Sequence, residues 1–179
     1  KMFTALAIEQ EMKKRGFDAD FRATGQTGIF IAGSGVSIDA VVADFISGAV
    51  EWLCPENSGN HWDIVEGQGS LFNVSYAGVT LGLIHGSQPD ALVVCHEAGR
   101  PHMRSMPHFP LIDLPTCIDV NLQAASLTNP DVRCVGAAIN TSRLSEEEGR
   151  VFCDKVSQEI GLPAVDPLRD GVASLVDQI

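Results

Sequence analysis

The sequence lacks any run of about 18 apolar residues, the length needed to cross a bilayer as a helix, so no membrane-spanning helix is expected. Cations are scarce: 12 Lys and Arg stand against 23 Asp and Glu, a net charge of −11. That balance argues against a nucleic-acid-binding surface. It leaves room for small anions, because a few local cations and backbone amides can hold a phosphate inside an acidic protein. There is no CxxC pair, and the five cysteines are odd in number with mostly apolar neighbours. Reduced thiols in a cytoplasmic protein are therefore expected. Internal repeats and low-complexity linkers are also missing, and no signal peptide is visible in a chain that opens on Lys1 rather than Met.

What is present is an alternation of strand-like and helix-like segments over one domain, residues 1–179. Helices are expected over 4–15, 38–53, 74–85, 115–127 and 145–160, with a last one after Asp170. Ser145 and Glu148 form a capping-box pattern. Strands are expected over 17–23, 29–32, 62–65, 91–95, 132–139 and 163–165, and a long loop over 99–113. The continuous apolar run Ala91–Cys95 reads as buried on both faces. Strands separated by helices imply a mostly parallel sheet covered on both faces, an α/β fold. Ligands then sit beyond the carboxyl ends of the strands, where the strings TGQTG (24–28), EGQGS (66–70), HEAGR (96–100) and NTS (140–142) should meet.

Lys1 opens a helix, as does the lysine of a phosphate-binding loop. Glu66, at the end of an apolar strand, is where nucleotide-binding folds place an acid for magnesium. Met2 stands where such loops have a metal-binding hydroxyl, and Thr4 lies one turn on. Glu66 has three readings at this level: metal ligand, general base, or satisfied core acid.

Together, the strings ATGQTG, EGQGSL and YAGVTLGLIHGSQPDALVVCHEAGR, with the helical opening KMFTALAIEQEMKKRG, resemble the C-terminal P-loop domain of a bacterial family long known as a domain of unknown function. Its members include D-glutamate N-acetyltransferases. The resemblance covers nearly all of the chain and implies a P-loop NTPase-like fold, an upstream Rossmann-like domain and the front of the phosphate loop, including a strand before Lys1. It also implies acetyl-CoA as co-substrate, D-glutamate as acceptor and a homo-oligomer. Distant kinship with dethiobiotin synthetase-like enzymes keeps a nucleotide- and magnesium-dependent alternative open, magnesium entering only with a bound nucleoside triphosphate, beside a non-catalytic binding module. Ser70 departs from the glycine of that kin.

Acetyl transfer to an amine needs a base, oxyanion donors and cations for the substrate carboxylates. His96, Glu97 and Glu66 are the candidate bases. Arg22, Gln26, Thr27, Gln68, Arg100 and Arg104 are candidate substrate-binding residues. Lys1, Thr4, Gly67, Gly69 and Asn140 are candidates for holding acetyl-CoA. His96, His102, His108 and Cys95 match no standard zinc spacing, so no metal centre is expected.

Overall fold

The computed structural model describes residues 1–179. Helix α1 (Met2–Lys14) leads to strand β1 (Asp18–Arg22), α2 (Gln26–Ala32), two 3₁₀ turns (Ile38–Ala40 and Ala43–Phe45) and α3 (Ile46–Leu53). Then come β2 (His61–Val65), α4 (Ala77–Ser87), β3 (Ala91–Glu97), and the short strands β4 (His102–Met103) and β5 (Met106–Pro110). The chain closes with α5 (Leu114–Ser126), β6 (Arg133–Asn140), α6 (Glu146–Ile160), β7 (Ala164–Val165) and α7 (Ala173–Val176).

The expected α/β fold is present, with its parallel pairing in two pieces. β1 pairs with β2, and β3–β6–β7 form a second sheet. Helices cover both faces of β6 because its residues alternate. Ala138 packs with Ile8 and Met12 of α1 and Leu175 of α7, while Ala137 and Ile139 pack with Cys153 and Val156 of α6. A register shift opposite Leu92 and Val93 leaves Gly136 at φ +144°, where a Cβ would meet the Pro163 carbonyl and the Leu175 side chain. That bulge lets β7 and α7 approach β6 closely. The Ser145/Glu148 capping box is formed at the start of α6.

Three expectations are corrected. Residues 29–32 are helical, not a strand: the backbone amides before Gln26 are tied to Glu66, so the chain turns directly into α2. The helix expected over 38–53 is broken by extended backbone at Val41 and Val42, and only its second half is α-helical. The loop expected over 99–113 contains an antiparallel hairpin, turned at Ser105 with φ +63°.

One side of the β1–β2 ribbon is charged. The register places Asp18 beside His61 and Asp20 beside Asp63. His61 Nδ1 lies 3.1 Å from Asp18, its Nε2 3.1 Å from Asp63 and 3.9 Å from Asp20, and Arg22 Nε donates to Asp63 at 2.5 Å. Burial of the ring opposes its charge, but hydrogen bonds and attraction from Asp18 and Asp63 outweigh that and raise its pKa. The folded state thus gains stability from protonated His61 fully below the ordinary imidazole value of about 6.5, and loses it as pH rises through the raised folded value. The stability difference between wild type and His61→Asn is accordingly expected to shrink between pH 6 and 8; a difference flat over that range in thermal denaturation would remove His61 from the pH response.

No helix is long and apolar enough to cross a membrane.

Candidate active site

The carboxyl ends of β1, β2, β3 and β6 deliver the four glycine- and polar-rich turns to one edge of the fold, as the strand-end rule requires. The turns of β1 and β2 are knotted together. Glu66 is buried, and its Oε2 accepts from the backbone N–H groups of Thr24 and Gly25, both at 3.1 Å. The Thr24 hydroxyl donates to the Glu66 carbonyl at 2.6 Å, and Gln68 Nε2 donates to that hydroxyl at 3.3 Å. Glycines make room for this. A Cβ on Gly28 would collide with Glu66 Oε2, and one on Gly25 would sit 2.6 Å from Gln68 Nε2. Of the three readings of Glu66, one carboxylate oxygen follows the core-acid reading, since it ties the TGQTG turn to the end of β2.

Lys1 reaches the same turn. Its Nζ donates to the Gly69 carbonyl at 2.6 Å, and Lys1 and Glu66 line one cavity of about 440 Å³. The residue is exposed as a whole, yet its ammonium is enclosed enough that loss of hydration lowers its pKa, with the nearby Arg100 charge adding to the effect and Cys95 and Glu66 opposing it. Gly69 adopts φ +62° against Tyr76, and Thr80 Oγ1 donates to the Gln68 carbonyl at 2.8 Å, fixing the turn. Thr4 is buried behind Lys1, with its Oγ1 3.8 Å from Cys95 Sγ.

The β3 end carries the titratable groups. The His96 ring stacks on Phe152, parallel within 1° at 6.1 Å between centroids. Burial, then the Arg100 charge, lowers its pKa, with Glu97 opposing. The imidazole is therefore neutral at pH 7 and able to accept a proton. Glu97 is held on both sides, by Arg100 at 3.3 Å and Arg143 at 3.0 Å. Arg100 Nε is the one buried side-chain polar atom with no hydrogen-bond partner. Such an orphan donor costs free energy unless a ligand meets it.

Other candidates lie apart from this cluster or are occupied. Arg22 is committed to Asp63 on the charged face of the ribbon, so it is not available as a clamp. Asn140 Oδ1 accepts from Ser142 N–H and caps its own turn. Arg104 is exposed in the β4–β5 turn. Gln26 and Thr27 start α2, directly after the Thr24–Gly25 amides. His96, His102, His108 and Cys95 do not converge as a metal-holding group. Burial pushes the Cys54 and Cys153 thiols up to about 11, so both stay protonated at neutral pH and behave as core fillers. Sequence reasoning did not single out Arg143, Phe152 or Asp166, the buried partner of Thr141 that supports the end of β6. Only Arg143, one residue beyond NTS, carried a local signal.

Residues 1–176 match the family model described as a domain of unknown function (DUF1611_C), P-loop domain. The chain is 57% identical over 176 residues to a D-glutamate N-acetyltransferase from a Pseudoalteromonas species, covering 98% of this chain and 53% of that protein. It is 52% identical over 179 residues to a protein of the same name from Tritonibacter scottomollicae, covering 100% of this chain and 54% of that one. The chain thus spans about half the length of these relatives. A crystal structure of a DUF1611 family protein from Anabaena variabilis superposes with a TM-score of 0.93 at 39% identity, over 99% of this chain and 52% of that one.

Proposed function

Because the chain belongs to the DUF1611_C family of P-loop domains, we propose that it is the C-terminal part of an N-acetyltransferase that moves an acetyl group from acetyl-CoA to the amino group of D-glutamate. The observation that carries this reading is 57% identity over 176 residues with a relative of that name.

The crevice has the chemistry the reaction calls for. D-glutamate arrives as an ammonium ion, which must lose a proton before its nitrogen can attack. His96, neutral at pH 7 and held flat on Phe152, takes that proton. The nitrogen then bonds to the thioester carbonyl carbon, the carbon–sulfur bond breaks, and the departing thiolate of CoA takes up the second proton that the nitrogen sheds as it becomes an amide. Arg100, with its unpartnered Nε, binds a substrate carboxylate. Arg104, Gln26, Thr27 and Gln68 are the next groups for the acceptor. Lys1, with Thr4 and the Gly67–Gly69 turn, suits the phosphates of acetyl-CoA, because a desolvated ammonium beside flexible backbone is a phosphate-binding arrangement.

The test is a thiol-release assay on the full-length protein with acetyl-CoA and D-glutamate. Arg100→Ala is expected to lower kcat/KM for D-glutamate by about 10- to 100-fold, equivalent to about 1.5–3 kcal/mol for a lost charge-assisted bond, with little change in KM for acetyl-CoA. No thiol release above background hydrolysis would overturn the reading. Unchanged D-glutamate kinetics in Arg100→Ala would move the clamp to Arg104.

A second reading, a nucleotide- and magnesium-dependent enzyme, draws on one observation: Lys1 and Glu66 line the same cavity. Magnesium-dependent phosphate release from ATP or GTP is its signature.

A further inference from the structure

At the carboxyl ends of β3 and β6, two cations share one acid. Glu97 pairs in register with Asn140, and Arg100 and Arg143 each lie three residues beyond that pair. Both side chains turn back to Glu97: Arg100 Nη1 lies 3.3 Å from its Oε2, and Arg143 Nη2 lies 3.0 Å from its Oε1. Glu97 is the only acid that either arginine meets. Elsewhere the ratio is reversed, since Lys13, Arg15 and Arg22 each meet two acids. Glu11 also meets two cations, but there Arg15 goes on to Asp177. A chain of net charge −11 thus leaves an excess of positive charge at this one place. Each guanidinium carries five N–H donors, and one carboxylate cannot satisfy both sets.

The arginine on the β6 side stands on a fixed stem. Thr141, fully buried, donates its N–H to Asp166 Oδ2 at 3.0 Å, and Leu144 N–H closes the turn on the Thr141 carbonyl. Arg169 donates to the carbonyls of Leu144 and Ser145 at 2.9 and 3.0 Å. A side chain on a pinned turn loses less freedom when a ligand arrives. Arg100 is the inner of the pair: its side chain is 28% exposed against 66% for Arg143, and its buried Nε has no partner. The Arg100 charge also reaches His96, one residue before Glu97. Both oxygens of Glu97 are engaged by arginines, which suits it to hold them in place rather than to accept a proton.

We propose that Arg100 and Arg143, spaced by Glu97, form a receptor for the two carboxylates of an acidic amino acid, with Arg143 selecting the side-chain carboxylate. The assignment of ends rests on the acetyl-transfer reading above. In that reading His96 faces the ammonium group, which is bonded to the carbon bearing the main carboxylate. That carboxylate therefore goes to Arg100, and the side-chain carboxylate goes to the outer guanidinium. Glu97 is a positioning residue for both arginines.

Thiol release by the full-length protein with D-glutamate and with D-glutamine tests this, because the two acceptors differ only in the side-chain carboxylate. Arg143→Ala is expected to lower kcat/KM for D-glutamate about tenfold, through KM, the low end for a charge-assisted bond because Arg143 is exposed. D-glutamine kinetics and KM for acetyl-CoA should stay as in wild type. Glu97→Gln is expected to raise KM for D-glutamate, with kcat falling less than about tenfold, below the usual contribution of a general base. Equal losses on both acceptors in Arg143→Ala, or a raised KM for acetyl-CoA instead, would overturn the receptor. So would a fall in kcat of about 100-fold or more in Glu97→Gln, which would make Glu97 the base. Glutarate has both carboxylates and no amine, so calorimetry with it reads the receptor without turnover. Arg143→Ala is expected to weaken glutarate binding about tenfold and to leave butyrate, with one carboxylate, unchanged. Arg143-dependent glutarate binding without thiol release would overturn the transfer reading and support the receptor. Thiol release with glutarate binding absent, or unchanged by Arg143→Ala, would overturn the receptor alone.

Discussion

Replacing Glu66 with alanine is expected to lower the unfolding free energy by about 2–6 kcal/mol. The change leaves two backbone N–H groups, those of Thr24 and Gly25, without their acceptor, at about 1–3 kcal/mol each. It also opens space beneath Gly28, whose position beside Oε2 admits no side chain. Glu66→Gln keeps one oxygen acceptor of similar shape but removes the charge, so a smaller loss, about 1.5–3 kcal/mol, is expected. Denaturant titrations of the two variants would establish the order. A loss below about 1 kcal/mol in Glu66→Ala would mean that water satisfies both amides, and the carboxylate would then be free for chemistry. In either variant, reduced acetyl transfer must be read against this structural cost.

The other large effect is expected at His96. His96→Asn removes the group assigned to accept the ammonium proton and should reduce kcat by about 10²- to 10⁴-fold with the fold intact. Its pH signature separates catalysis from packing. The unprotonated ring is the active form, and burial followed by the Arg100 charge lowers its pKa. The acid limb of kcat/KM should therefore fall below the ordinary imidazole value of about 6.5, and Arg100→Gln should shift the limb upward by removing the repelling charge. Loss of kcat without any change in the acid limb on Arg100→Gln would assign the proton to another group. A kcat within tenfold of wild type in His96→Asn would do so outright.

Periodicity exposed the long helices and the strands bounded by turn residues, because burial imposes period 3.6 or 2 on those segments. It misread 29–32, where Ile29 and Ile31 carry strand character but a buried carboxylate 42 residues from Thr24 decides the local backbone. No window of sequence contains that contact. The site divides in the same way. Lys1, Glu66, His96 and Arg100 were legible because strand ends in a parallel fold face one edge. Phe152 and Arg143 come from α6 and the turn before it, and only folding brings them to His96 and Glu97. Arg22 looked like a clamp because it lies two residues before TGQTG, yet alternation along β1 turns it to Asp63.

The outer border of the β1–β2 ribbon is not left bare. On β1, the outward-turned amide of Phe21 is met by the carboxylate of Glu9 at 3.2 Å, and Lys13, bound to Glu9 at 2.8 Å, reaches Asp20. Helix α1 thus stoppers this border with its own side chains. The ribbon therefore has its β1 border closed to growth. An exposed strand from another molecule in a crowded cell finds no free row of backbone groups at β1.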